Sequence, residues 1–427
     1  MRFWLITVGE PLPVDGASER LMRTGLLAAQ MVGRGHDVVW WTSTFDHYRR
    51  VQRSGRDRGL DLAKNYRLVL LHAPGYRKNI SLRRILNHAL TARKFVALAR
   101  SAPRPDLILC SLPTIELSLA AARYGAAHGV PVILDARDMW PDIIVTRLAA
   151  MAGPLAGPVG ALARAALRPA FRQATTACRL ATGIAGITDP FVDWALGYAR
   201  RDRGPLDRAF PLAYSRREVA GRDMEEAYLF WEGHSLRRGD PEFVVCLFAG
   251  ITRRMHLEPV IEAARRLERA GRRFRFVLCG EGVALAYFRR LARDCRTVLF
   301  PGWIRRPQIE ALMHLSRVGL APVRDTEDFR ISILNKAIEY MSAGLPVVSS
   351  IRGLLEELLR ERGCGVTYDS WDAGQLCAVL CDLDDHPAKV ASMAEKSREL
   401  FQERFVAEKV YREMADYLEQ TASCKQR

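Results

Sequence analysis

A chain of 427 residues is long enough for two domains, each with its own core, and 49% apolar with 26% charged residues describes a globular protein and excludes a disordered one. The nine Cys are scattered, odd in number and without a Cys-x-x-Cys pair, which predicts reduced thiols in a cytoplasmic setting and excludes a disulfide framework or a cysteine zinc site. A net charge of +16 predicts attraction to polyanions without naming one, and no uninterrupted apolar run reaches the roughly 18 residues a spanning helix needs.

The chain opens on a strand pattern, Phe3-Trp4-Leu5-Ile6-Thr7-Val8, with no secretory signal expected ahead of it. A glycine-containing loop follows over 9–16, then a helix over 19–34, and Gly35-His36-Asp37 turns the chain into Val38-Val39-Trp40-Trp41-Thr42. Within that first loop Gly16 permits close backbone approach, and with Ser18, Glu19 and Arg20 it leads into a helix N-terminus, which favours anions. His36 belongs to the turn and is expected to be structural. Further strands are predicted at 67–71, 106–111 and 130–135 with helices between them. Strands so spaced form right-handed βαβ units around a parallel sheet.

Charge is unevenly placed in this half. Residues 76–105 hold no acid, while Arg77, Lys78, Arg83, Arg84, Arg93, Lys94, Arg100 and Arg104 are basic; 143–188 are again free of acids. Over 81–100, Leu82, Ile85, Leu86, Ala89 and Leu90 fall near helical spacing beside those basic residues. Such a helix can lie on an anionic leaflet, at roughly 1 kcal/mol per basic residue near the surface, or pack its apolar stripe on the sheet. The Ala-, Leu-, Gly- and Pro-rich stretch 148–167 is a second candidate for shallow insertion. Between these, Leu134-Asp135-Ala136-Arg137-Asp138-Met139-Trp140-Pro141-Asp142 ends a strand with three carboxylates and an Arg. Leaving those charges unpaired at a sheet edge is costly, so either a ligand site or a salt-bridged turn must account for them.

Residues 213–240 are polar, Arg-rich and poorly periodic, and are predicted to be a linker with a short element at 225–231. A second alternating series then runs from 241 to 405: strands at 243–249, 274–279, 298–300, 319–322 and 347–349, helices at 258–269, 284–294, 307–315, around Glu339, and at 354–361. A last amphipathic helix is predicted at 406–418. Two doubly wound α/β domains in tandem, 1–212 and 241–405, are expected to leave a cleft between their carboxyl edges.

The second series carries the most specific motifs. Phe248-Ala249-Gly250-Ile251-Thr252-Arg253-Arg254-Met255-His256 follows a strand and precedes a helix; Gly250 frees backbone N–H groups, and Arg253 and Arg254 can clamp a diphosphate. A surface loop in an Arg-rich protein gives the same pattern. Cys279-Gly280-Glu281-Gly282 and Pro301-Gly302-Trp303-Ile304 each end a strand. Asn335-Lys336-Ala337-Ile338-Glu339-Tyr340-Met341-Ser342-Ala343-Gly344-Leu345-Pro346-Val347-Val348 runs from helix to strand with Glu339 on the inner wall of a sheet edge. A carboxylate there can accept two hydrogen bonds from a ribose diol.

This last segment resembles the retaining nucleotide-sugar glycosyltransferases of family 4, of the bacterial polysaccharide and lipid-linked glycan type, and the segment from Leu134 to Asp142 is similar to an Asp-x-Arg-Asp-x-Trp-Pro found in many of them. The resemblance implies the GT-B fold, with the helix at 406–427 returning to the first domain. It implies ribose binding by Glu339, a nucleotide-side turn at Gly280, Glu281 and Gly282, and base-edge reading by the backbone at Trp303 and Ile304. Gly16, Gly250, Arg254 and His256, the last at about the position of a family Lys, are implied around the donor phosphates. Arg137 and Asp138 are implied at the donor sugar, without a proton-transfer role because Arg stays protonated. The first Glu of the family's Glu-x7-Glu is replaced by Ile331; Ser332, Asn335 and Lys336 fit a Ser-x-x-Asn-Lys pattern of some relatives, in which Lys336, with Arg253, neutralises the departing diphosphate.

The activity so implied moves a hexosyl or N-acetylhexosaminyl group, with retention and without metal or other cofactor, from a nucleoside-diphosphate sugar to a lipid-linked or growing polysaccharide acceptor; UDP is the donor nucleotide expected, and backbone reading of the base leaves GDP open. The partners implied are that donor, that acceptor and the anionic inner leaflet, to which the protein is peripherally attached, and no nucleic acid. Two other classes stay open. A nucleotide-sugar 2-epimerase on the same scaffold needs dedicated acid and base carboxylates and a His in the cleft. A basic nucleic-acid-binding protein needs a recognition helix, a zinc site or aromatics interleaved with basic residues.

Overall fold

A computed structural model of the chain describes residues 1–16, 20–78, 81–216 and 218–424. They form two compact units, Met1–Pro211 with Glu408–Arg427, and Leu212–Ala407.

The first unit is built on eight strands: β1 Arg2–Ile6, β2 Asp37–Ser43, β3 Arg58–Ala63, β4 Tyr66–Leu71, β5 Leu107–Leu112, β6 Val132–Ala136, β7 Gly183–Gly186 and β8 Arg208–Ala209. Their order is β3-β4-β2-β1-β5-β6-β7-β8, parallel throughout except for the β3–β4 hairpin. Helices cover both faces, so β5 and β6 are buried along their whole length and are written as nearly unbroken apolar runs. Between β1 and β5 the strand order reverses, which opens a crevice at the carboxyl edge. The first helix begins at Arg23 rather than at 19; Ser18 and Glu19 lie outside the described residues. The helix Ala407–Ser423 belongs to this unit: Asp416 and Glu419 hold Arg34 at 2.6 and 2.9 Å, and Glu419 meets His36 at 2.7 Å.

The helix Leu82–Ala99 does not pack its apolar stripe on the sheet. Its buried face is Asn87, His88, Thr91, Ala92, Phe95 and Ala99, whereas Leu82 is 84% exposed and Ile85 and Leu86 also face solvent. Small and polar residues let this helix sit close to its neighbours, and the larger aliphatics are left outside. The stretch 148–167 folds as the end of the helix Asp142–Met151, a short turn Gly153–Leu155 and the helix Ala156–Ala166, with Met151 and Leu162 exposed at 81% and 71%. Among the described residues no helix is long and apolar enough to cross a membrane.

The second unit carries six parallel strands, β9 Phe243–Phe248, β10 Phe274–Cys279, β11 Val298–Leu299, β12 Val318–Ala321, β13 Val347–Ser349 and β14 Gly365–Thr367, in the order β11-β10-β9-β12-β13-β14. The order reverses between β9 and β12. Residues 213–240 are not a linker. They are part of this unit, and their helix Gly221–Glu232 buries Trp231 completely, its indole N–H donating to the Gln308 carbonyl at 2.8 Å. Ala227, Trp231 and Leu236 form one packed face that the surrounding Arg, Glu and Asp conceal in the composition.

Candidate functional site

In the second unit the loops after β9, β10 and β11 are tied to one another at the carboxyl edge. Ala249 N–H donates to the Cys279 carbonyl at 3.1 Å, Ile251 N–H to Glu281 at 2.8 Å, and Gly280 N–H to Gly302 at 2.7 Å. Gly280 and Gly282 adopt φ of +131° and +153°, and a Cβ would stand 1.8 Å from the Ala249 carbonyl oxygen and 2.3 Å from that of Ile251. Only glycine lets these loops meet. A Cβ on Gly250 would meet nothing within 4 Å, so the space above this turn is open. Glu281 is exposed, Trp303 is 66% exposed, and Ile304 is buried.

The helix Asn335–Ala343 starts on the same edge, after β12, without a side-chain cap. Its first N–H groups have no intrahelical acceptor and present a positive end to any anion. Asn335 is exposed on the first turn. Lys336 follows, half-buried, its Nζ 3.7 Å from the Met255 sulfur. Burial, opposed by Glu339 and aided by Arg254, lowers its pKa to about 8. Glu339 is buried one turn along, so the ammonium, the Arg254 guanidinium and the Glu339 carboxylate act on one another across a small space.

Three expected contacts differ. Arg254 is paired with Asp328 and lies 4.0 Å over the Phe329 ring, so it forms the wall of the site as much as a clamp. Ser332 donates its hydroxyl proton to the Asp328 carbonyl at 2.5 Å and is buried, closing the short helix Glu327–Arg330. His256 is only 1% exposed and packs edge-on to Trp371 at 4.1 Å; burial and then Arg324 lower its pKa, so it is a neutral ring in the core rather than a substitute for a phosphate-facing Lys. Arg253 is exposed, and Ile331 follows the helix that carries Asp328. The acid nearest the missing Glu therefore holds Arg254. Trp371 could have been noticed only through its partner, since it stands in no motif.

In the first unit Asp135 is fully buried at the end of β6 and accepts from Arg23 (Nε, 2.8 Å, and a terminal nitrogen, 2.9 Å) and from Arg137 Nε at 2.7 Å. Arg137 also pairs with Glu10 and donates to the Thr24 hydroxyl at 3.0 Å, while Glu10 accepts from the Thr24 N–H and hydroxyl at 3.0 and 2.8 Å. Burial pushes the Asp135 carboxyl up, but Arg23 and Arg137 hold it down to about 2. Burial opposes the Arg137 charge as well, yet Asp135 and Glu10 raise its pKa above the ordinary value. Arg137, expected at the donor sugar, is thus held by two carboxylates of its own unit. Its guanidinium is a clip joining β6 to the loop after β1, and Glu10, Arg23 and Thr24, which the motifs did not indicate, complete it.

Asp138 accepts from the Met139 N–H at 2.9 Å and faces Arg84. Asp142 binds the Trp194 indole at 3.1 Å and the Tyr198 hydroxyl, a tie between helices. Gly16 stands at φ +147° in the loop after β1.

Residues 22–187 match the family model of a glycosyl transferase 4-like domain, and residues 243–385 match that of glycosyl transferases group 1. The amylovoran biosynthesis glycosyltransferase AmsK of Erwinia amylovora is 28% identical over 180 residues, a match covering 41% of this chain and 44% of that protein. The chain thus spans less than half the length of this relative. Sucrose-phosphate synthase from Thermosynechococcus elongatus has a similar structure over 99% of both chains, with a TM-score of 0.70 at 16% identity. HepE of Anabaena, solved in complex with UDP-glucose, is similar over 98% of this chain and all of that one, with a TM-score of 0.64 at 14% identity. The chain has the GT-B fold, with a glycosyl transferase 4-like domain in its first unit and a glycosyl transferases group 1 domain in its second.

Proposed function

We propose that this protein is a glycosyltransferase of polysaccharide biosynthesis that takes a hexosyl or N-acetylhexosaminyl group from a UDP-linked donor and passes it, with retention, to a lipid-linked or growing glycan. The observation that carries this reading is the uncapped helix Asn335–Ala343, which sets Lys336 and Glu339 beside one another on the sheet edge. Lys336 and the helix N-terminus supply fixed positive charge where a diphosphate leaves, and Glu339 supplies acceptors for a ribose diol. Arg253 stands exposed at the mouth of the same loop as a further cation for the leaving group. Gly250, Gly280, Glu281 and Gly282 frame the nucleotide, with the backbone at Trp303 and Ile304 facing the base. The UDP-glucose complex of HepE supports a nucleotide sugar as the ligand of this fold. Attack and departure occur on one face of the sugar, so no covalent enzyme intermediate is required.

The first unit is proposed to sit on an anionic leaflet. Exposed Leu82, Ile85 and Leu86 beside Arg83, and exposed Met151, Leu155 and Leu162, support this reading.

Calorimetry with UDP and UDP-glucose tests the donor site. Charge-assisted hydrogen bonds contribute about 1.5–3 kcal/mol each. Glu339→Ala should therefore weaken UDP at least tenfold (about 1.4 kcal/mol) while melting as the parent does. Unchanged affinity in that variant removes the ribose assignment, and with it the carrying observation.

A further inference from the structure

In the second unit the loops after β9, β12 and β14 meet at the carboxyl edge, on the other side of β9 from the Gly280 turn. Residues 254–256 lie against 322–324 as a short antiparallel pairing. Arg324 N–H donates to the Arg254 carbonyl at 3.0 Å, Met255 pairs with Val323, and His256 N–H donates to the Pro322 carbonyl at 2.9 Å. That pairing stops short of Arg253. The Arg324 side chain extends it by one residue: its Nε donates to the Arg253 carbonyl at 3.1 Å, while a terminal nitrogen holds Glu258 at 3.3 Å. Glu258 opens the helix Glu258–Arg269, so one guanidinium joins the loop to the first turn of the helix that follows it.

The guanidinium is itself held in place. It lies 5.4 Å from the ring centre of Trp371, after β14, and Trp371 in turn sits against His256. Neither ring nitrogen of the buried His256 has a hydrogen-bond partner among the described residues, so this ring serves as a packing surface. A planar fork set between an indole, a carbonyl and a carboxylate has one orientation, which an ammonium in its place would lack. The consequence falls on Arg253. Its carbonyl and its side chain leave the same Cα, so holding the carbonyl sets the direction in which the exposed side chain leaves the loop. Two residues on, Met255 places its sulfur 3.7 Å from Lys336 Nζ, so the same short stretch reaches both cations of the site.

We propose that Arg324 is a positioning residue for the donor diphosphate, aiming the Arg253 side chain by holding that residue's carbonyl. It acts through Arg253 and not by contact with the donor. The inference rests on the glycosyltransferase reading, in which Arg253 meets the leaving diphosphate, and adds the residue that sets that contact.

UDP titrated calorimetrically into the full chain and its variants tests this as a double-mutant cycle. Arg324→Ala should weaken UDP about fivefold, and Arg253→Gln by about as much, as expected of residues in direct contact. The chain with both changes should bind UDP no worse than Arg253→Gln alone, because the side chain to be aimed is already gone. Guanidinium chloride far below denaturing concentration should restore part of the affinity of Arg324→Ala and none of that of the double variant. Should Arg324→Ala not fold, Glu258→Ala removes one arm of the fork, and its loss should likewise add nothing to that of Arg253→Gln. Arg275→Ala is the matched control. That arginine, at the amino end of β10, holds Glu242 at 3.1 Å and the Arg296 carbonyl at 3.2 Å, and its removal should leave UDP binding intact. Losses that add in the double variant, no loss in Arg324→Ala, or an equal loss in Arg275→Ala overturns the positioning role. The glycosyltransferase reading survives those results as long as the parent binds UDP and Glu339→Ala weakens it; a parent that binds no UDP overturns both.

Discussion

At Lys336, burial takes an ammonium that ordinarily titrates at 10.5 down to about 8. The free protein therefore sheds this charge as pH rises through 8. A bound diphosphate favours the charged form, so binding above pH 8 should take up a proton, and UDP affinity should fall as pH climbs from 8 towards 10.5. Calorimetry at pH 9 in two buffers of different ionisation heat reads that uptake, and its absence would place Lys336 away from the phosphates. Asp135 titrates in the opposite sense. Its folded pKa of about 2 lies below the ordinary 3.8, so its contribution to stability is fully present above 3.8 and is lost as pH falls through 2. Removing one partner of a buried ion pair costs about 3–5 kcal/mol. Asp135→Asn should lose stability of that order in urea at neutral pH, with a flatter stability profile between pH 4 and 2. A variant as stable as its parent would mean the clip around Arg137 is not a buried pair. The Arg137 motif was visible in the sequence, but its function as a clip was not, because Glu10 stands 127 positions away.

The helix Leu82–Ala99 shows how far spacing can be trusted at the scale of an element. Apolar spacing marked a helix correctly but left open which way its stripe faces; Thr91, Ala92 and Ala99 pack inward and Leu82 does not. Arg84, counted at first among lipid-facing cations, turns towards Tyr76 and Trp140, and Lys94 pairs with Asp57 at 2.8 Å. The residues left for a membrane are Leu82, Arg83, Ile85, Leu86 and Arg93. Vesicles with anionic lipid should bind the protein better than neutral ones, and Leu82, Ile85 and Leu86 changed together to Ser should reduce that binding, read by co-sedimentation. The electrostatic part should weaken with salt, the Debye length being about 8 Å at physiological ionic strength. Equal sedimentation with neutral vesicles would leave the +16 charge as composition alone.

For the whole molecule, two largely parallel sheets each reverse strand order once and gather loops at a carboxyl edge. On the proposed reading, Lys336 and a helix N-terminus of the second unit offset the charge of the diphosphate. Transfer from UDP-glucose, or its slow hydrolysis, should persist in excess EDTA. Activity abolished by chelation and restored by magnesium or manganese would require a metal in that place.

The sequence by itself determined the two α/β units and the order of most of their elements. Strands buried on both faces must be continuous apolar runs, as in Phe243–Phe248, and the glycines at 280 and 282 announce a close turn, so this information is local. Only the tertiary structure decided which charges meet. The Arg137 clip, the Arg254–Asp328 pair and the inward Arg84 join residues from separate strands and loops, and no local pattern encodes those meetings. It also decided the polar edge hairpin of β3 and the packed helix within 213–240, where one buried face is hidden among solvated charges.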